Sequence, residues 1–197
     1  SRIVPKEAFV RLGDAPGDQV QFDFKDVVAR IAGVEVALHM YVARLSYSTA
    51  FFARCYLSED RPALFDGLVS ACVRFGGVAR EGLFDNASTA VKRILRGRDR
   101  HMNDDFAALC GGLALRMQFA APAKGNEKGG VEGLHGYIED RFFRPLPDYK
   151  SLADLNRSLE AFSESYLDKR VSGESVRDRF ERERQALRAL PAVLPAT

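Results

Sequence analysis

The chain has 197 residues, 46% of them hydrophobic and 28% charged, with a formal net charge of +2 and an isoelectric point near 8.5. That proportion of apolar residues builds one substantial core, so a disordered chain is excluded and a single globular domain with an appended helical segment is expected. Its longest near-apolar run, Val34 to Leu45, is broken by Glu35, His39 and Arg44, too short for a membrane span, and no charged-then-apolar leader opens the sequence; a cytoplasmic protein is the expectation. Cys55, Cys72 and Cys110 are odd in number and far apart, without a C-x-x-C pair or a histidine at ligand spacing, which predicts small core residues rather than disulfides or a zinc site. The slight positive charge permits an anionic partner without requiring one.

Residues 1–18, with Pro5, Gly13, Pro16 and Gly17, read as a lead-in ending in a turn, as an excised piece would begin. From Gln19 the order Q-V-Q-F-D-F alternates, which puts Val20, Phe22 and Phe24 on one face of a strand and Gln21 and Asp23 on the other. Aspartate is disfavoured in strands, so Asp23 marks either an exposed sheet face or a site. Val27 to Ile31 continues extended, Ala32 and Gly33 turn, and Val34 to Ser46 and Thr49 to Leu57 supply two more strands of an antiparallel meander. Ser58 to Asp60 caps a helix with Pro62 in its first turn and Gly76 and Gly77 at its end. Val78 to Phe84 is a fourth strand, reached by a helical crossover as parallel strands are.

Asp85 follows that strand, where it is either the N-cap of a helix over Ala87 to Leu95 or part of a site. Lys92, Arg93, Arg96, Arg98 and Arg100 crowd the end of this helix, as a solvated face or as a surface for a phosphate backbone. A short helix at Asn103 to Cys110 and a fifth strand at Leu113 to Phe119 lead into the basic glycine-rich loop P-A-K-G-N-E-K-G-G-V-E, which carries Lys124 and Lys128 and ends at Glu132. There an amphipathic helix begins, its apolar stripe formed by Leu134, Tyr137, Ile138, Phe142 and Phe143. Glu132 in its first turn complements the helix dipole or serves a site. Ser151 to Asp154 fits a capping box for a helix to about Lys169, and Ser172 is read as the start of a last charged helix to about Leu190.

The element order predicts an α/β fold with a mixed five-stranded sheet, three antiparallel strands followed by parallel ones, flanked by helices and extended by further helices at the C-terminus. If the strand ending at Asp85 lies beside the strand of Asp23, both carboxylates meet at a crevice of the sheet, and Glu132 enters from a covering helix. Three carboxylates held together repel by roughly 1 to 4 kcal/mol per pair at 4 Å. A divalent cation resolves that conflict, and oxygen-only ligands suit Mg²⁺ or Mn²⁺. Two such ions can activate an attacking oxygen and steady the leaving one in phosphodiester chemistry.

Taken together, P-G-D-Q-V-Q-F-D-F around Asp23, L-S-Y-S-T-A-F-F-A-R in the second hairpin, F-G-G-V-A-R-E-G-L-F-D-N-A-S-T-A-V around Asp85 and P-A-K-G-N-E-K-G-G-V-E-G-L-H-G-Y-I-E-D-R-F-F-R-P around Glu132 resemble the catalytic core of IstA-type (insertion sequence 21 family) transposases. These are DDE transposases, kin to the retroviral integrases, with a ribonuclease H-like fold. The resemblance extends over nearly the whole chain, and the spacing of the three acids suits such a core. It implies a lead-in at 1–18, a catalytic core at 19–145 and a C-terminal helical extension at 146–197. It also implies that Asp23, Asp85 and Glu132 are catalytic and hold Mg²⁺ or Mn²⁺ as two ions, with Lys124 and Lys128 on DNA phosphates and Lys92, Arg93 and Arg96 as further DNA-binding residues.

Cleavage at transposon 3′ ends followed by strand transfer into target DNA is the implied reaction. An AAA+ ATPase helper and a homo-oligomer assembled on DNA are the implied partners, and the implied location is the bacterial cytoplasm, on the nucleoid when active. Phe24 stands where the resemblance leads one to expect tryptophan, and Ala87 and Ser88 replace bulkier residues. No helix-turn-helix precedes Asp23, so sequence-specific end binding is expected elsewhere. The alternatives are a catalytically inactive DNA- or partner-binding module of the same fold and a nuclease that only hydrolyses. Of the neighbours, Glu127 reads as a solvated loop charge, Glu139 as able to reach the face of Glu132, and Asp26 as the strand's exposed edge. His39, His101 and His135 read as isolated, the last as a helix-surface residue.

Overall fold

A computed structural model describes residues 15–84, 100–119 and 129–195. Its sheet is built on β1 (Gln19–Ile31), which pairs antiparallel with β2 (Val34–Leu45), itself antiparallel to β3 (Phe51–Tyr56). The β1–β2 turn is the expected Ala32-Gly33, whose φ values of 49° and 80° make it a two-residue turn of the kind that matches strand twist. On the other side of β1 lie β4 (Glu81–Phe84) and then β5 (Arg116–Phe119), both parallel, in the order β3-β2-β1-β4-β5. This is the expected mixed sheet. A sixth, two-residue strand, β6 (Asp148–Tyr149), adds parallel to β1 at Arg30 and Ile31.

Alternation along β1 divides the sheet into two faces. Val20, Phe22 and Phe24 point to one of them, where Phe22 packs against Phe84 (5.3 Å between centroids) and Phe24 against Tyr41 (5.2 Å). Helices α1 (Arg61–Phe75) and α2 (Arg100–Gly112) cover this face. Gly67 of α1 lies so close to the Tyr41 ring that a Cβ there would sit 2.8 Å from it, and Phe106 of α2 meets Phe84. The limits of α1 follow from its caps. Asp60 accepts from the Ala63 N–H at 3.0 Å, and at the other end Gly76 (φ 76°) and Gly77 donate to the Val73 and Cys72 carbonyls. The three cysteines are buried and unbridged, as expected, and burial pushes each thiol up to about 12.

The opposite face carries α3 (Gly129–Phe142) and α4 (Leu152–Ser165), joined through Tyr137, Phe162 and the Tyr166 of a short 3-10 turn, which packs on Phe51 at 5.0 Å. Helix α4 starts at the expected cap, Ser151 accepting from the Asp154 N–H at 3.1 Å. It is tied to β3 by Asn156, whose side-chain oxygen accepts from the Cys55 N–H at 2.8 Å while its amide donates to the Cys55 carbonyl at 3.0 Å. Past α4 the structure corrects the reading of the C-terminal segment. Ser172 does not start a helix; with φ 53° it forms, with Gly173, the turn between β7 (Arg170–Val171) and β8 (Glu174–Ser175). The cap is Ser175, which accepts from the Asp178 N–H, and α5 runs Val176–Ala186. From it the fully buried Glu183 accepts from the Gly17 N–H at 3.2 Å and the Ser48 N–H at 2.9 Å, fastening the C-terminal helix to the entrances of β1 and β3.

Candidate metal and nucleic-acid site

Asp23 lies at the middle of the sheet's polar face. Partners directly opposite across antiparallel strands share a face, so Gln21 with Arg44, Asp23 with Val42 and Lys25 with Met40 form the surface on which α3 lies. Among the described residues β4 pairs with β1 as far as Phe84 opposite Phe22, and β6 adds at Arg30 and Ile31. Asp23 is thus the next residue along β1 after its last described pairing with β4. Asp23 is 14% exposed; its Oδ1 accepts from the Phe24 N–H at 2.9 Å, and its Oδ2 lies 3.6 Å from His135 Nδ1.

Helix α3 runs along β1. At its start, a Cβ on Gly130 would lie 2.6 Å from Gln21 Oε1 and 2.8 Å from Arg44 Nη1, so only glycine lets the helix come this close. One turn on, His135 meets Asp23, and after another turn Glu139 pairs with Lys25 at 3.4 Å. Glu132, His135 and Glu139 are spaced three and seven apart and lie along one stripe of the helix. Glu132 thus occupies the first turn, exposed, at the Asp23 end of that stripe. Two carboxylates expected together are carried on elements in direct contact. Asp85 lies outside the described residues, as do Lys92, Arg93, Arg96, Lys124 and Lys128.

His135 is not the helix-surface residue expected of it: at 6% exposure it is buried between α3 and β1. The strand face beneath α3 sets Asp23 among Val42 and Met40, and α3 lays His135 against it beside its buried Val131, Leu134 and Ile138. The alternation of Gln21, Asp23 and Lys25 was the available signal. His39 is not isolated either. Its Nδ1 sits 2.8 Å from Asp26 Oδ1 and 4.0 Å from Glu59 Oε2, a group of three side chains that could hold a cation. Asp26 falls on the opposite face of β1 from Asp23, so this group is separate from the expected carboxylates.

Over 194 residues, 97% of its length, the chain is 36% identical to the transposase for insertion sequences IS1326/IS1353 of Pseudomonas aeruginosa, of which it covers 38%. It is 34% identical over 192 residues to a transposase of Aminobacter aminovorans, covering 37% of that protein. Against the transposase for insertion sequence element IS21 of Pseudomonas aeruginosa it is 27% identical over 193 residues, covering 49%. The chain thus spans less than half the length of these relatives. No protein-family model matches it. Among solved structures, the HTLV-2 integrase catalytic core domain in complex with magnesium superposes with a TM-score of 0.56 at 16% identity, covering 85% of this chain and 99% of that one. The catalytic core domain of BIV integrase gives a TM-score of 0.56 at 14% identity, covering 86% and 97%. These likenesses concern the fold, which is ribonuclease H-like. Among the described residues no helix is long and apolar enough to cross a membrane.

Proposed function

We propose that this chain, homologous along nearly its whole length to a segment of the insertion sequence 21-type transposases, is the part of such an enzyme that cuts and joins DNA. The observation that carries the reading is the contact of α3 with β1 at Asp23, one turn from Glu132 and one residue past the pairing of Phe22 with Phe84. Register supports the third acid: Phe22 and Phe84 are paired, and the next residues in sequence are Asp23 and Asp85. The donor set is carboxylate oxygen throughout, which fits Mg²⁺ or Mn²⁺. Asp23, Asp85 and Glu132 would hold a pair of such ions, which when bound stabilise charge on the attacking and leaving oxygens of a phosphodiester. Phe24 and His135 engage the two oxygens of Asp23 and fix its orientation, so the protein's own share is positioning.

In this reading water attacks the phosphodiester at a transposon end and expels the 3′-oxygen, and the freed 3′-hydroxyl then attacks target DNA, forming one phosphodiester bond as another breaks. Lys124 and Lys128, with Lys92, Arg93 and Arg96, contact phosphates. Residues 1–18 are a lead-in, 19–145 the core and 146–197 its extension. The partners are DNA, an AAA+ helper and further copies assembled on DNA, in the bacterial cytoplasm at the nucleoid. The test is strand transfer of a labelled, pre-cut transposon end by the full-length transposase with Mn²⁺. Joined products lost on Asp85→Ala support the reading; DNA retained without joining indicates an inactive binding module, and nicks alone a hydrolase.

A further inference from the structure

Arg44 is the one charged residue that β2 contributes to the face under α3, and among the described residues it has no anion. Among the described residues its guanidinium makes no hydrogen bond or ion pair, although it is only partly exposed and burial pulls its pKa below the usual value. The carboxylate whose field reaches it is Glu183, and both oxygens of that group are already taken by the Gly17 and Ser48 N–H groups. Beside it, Gln21 Oε1 is buried and accepts from nothing. Desolvating an arginine without an anionic partner is costly, and such residues are normally paired. A planar guanidinium matches phosphate oxygens two at a time.

The location is informative too. Arg44 is two residues along β2 from Val42, the residue opposite Asp23, on the same face. That is about 7 Å along the strand. A DNA strand carries one phosphate per roughly 3.4 Å of helix axis, so a strand with one phosphodiester at Asp23 brings a neighbouring phosphate to Arg44.

From this the geometry points to Arg44 as a phosphate-binding residue for the DNA strand that reaches Asp23. It rests on the proposed function, and the test separates the two. Binding of a fluorescent duplex of arbitrary sequence is titrated against the unmodified chain, Arg44→Gln and Arg44→Lys over a series of salt concentrations, and each protein is melted. For Arg44→Gln the affinity near physiological salt falls about fivefold and the slope of log K against log salt loses about 0.9. In Arg44→Lys the slope is retained. Melting of Arg44→Gln is unchanged or raised, since the charge removed had no partner. An unchanged slope in a folded Arg44→Gln overturns the inference and leaves the proposed function standing. A lowered melting point with an unchanged slope overturns it as well, assigning Arg44 to the fold. If the unmodified chain itself shows no salt-dependent DNA binding, the proposed function falls, and the inference with it.

Discussion

The two faces of β1 are made from alternate residues of one strand, yet they are built to opposite rules. Phe22 and Phe24 on one side are buried among Tyr41, Phe52 and Phe84. Gln21, Asp23 and Lys25 on the other are covered less closely, the Lys25 side chain staying 45% exposed, with charges, a histidine and an arginine in the contact. An apolar interface is fastened by area and shape and tolerates no missing volume. A polar one spends stability on desolvation and returns it as a place where an ion or an anion is welcome. The contrast teaches that α3 is held over Asp23 by its flanks, through Ile138 and Tyr137 and the aromatic contacts of α4, rather than by the residues facing the site.

Substitutions on the two faces should therefore separate stability from activity. Phe22→Ala empties the centre of the aromatic face and is expected to cost about 3–5 kcal/mol in urea unfolding. A loss below about 1 kcal/mol would mean that the face is not the rigid half. Asp23→Asn, one residue along, should leave unfolding nearly unchanged while lowering metal-dependent strand transfer about a thousandfold, roughly 4 kcal/mol in the barrier. Equal losses of stability and rate would collapse the distinction.

Glu183 tests it from outside the sheet. Burial raises its pKa above the ordinary 4.5 despite two N–H donors. The folded state then keeps a proton that the unfolded chain releases, so this group's contribution to stability is fully present below about pH 4.5 and declines as pH rises from there to the raised folded value. Glu183→Gln should flatten that decline in thermal melts across the same range. At the mild end, Lys25→Ala breaks a half-exposed pair with Glu139 and should shift unfolding by less than about 1 kcal/mol.

Much of this arrangement is legible before any coordinates. Alternation gives both faces of β1, Ala32-Gly33 gives the hairpin, and Asp60, Pro62 and Gly76 give both ends of α1, because each signal is local and backbone-driven. What resisted reading depends on pieces distant in sequence. His135 looks like a surface residue until α3 is laid over Asp23, and His39 looks isolated until β1, β2 and the turn after β3 bring Asp26 and Glu59 to it. Ser172 reads as a helix start, but it is Ser175 that has an aspartate three residues on, Asp178, and the turn at Ser172 and Gly173 (φ 53° and 87°) moves the start to the later serine. Of the proposed site, Asp23 and Glu132 stand out in the sequence by their positions on strand and helix, and the structure lays those two elements against each other; Arg44 does not stand out, because an arginine in a strand reads as a surface charge.

The hold of Asn156 on Cys55 has a consequence for how the molecule behaves in company. Strand β3 is the last rung of the sheet, and an amide group there satisfies both its outward N–H and its outward carbonyl at one residue, as a neighbouring strand would. Any second chain seeking to zip on at that rim must first evict Asn156, which keeps the sheet from growing through β3 into a continuous ribbon.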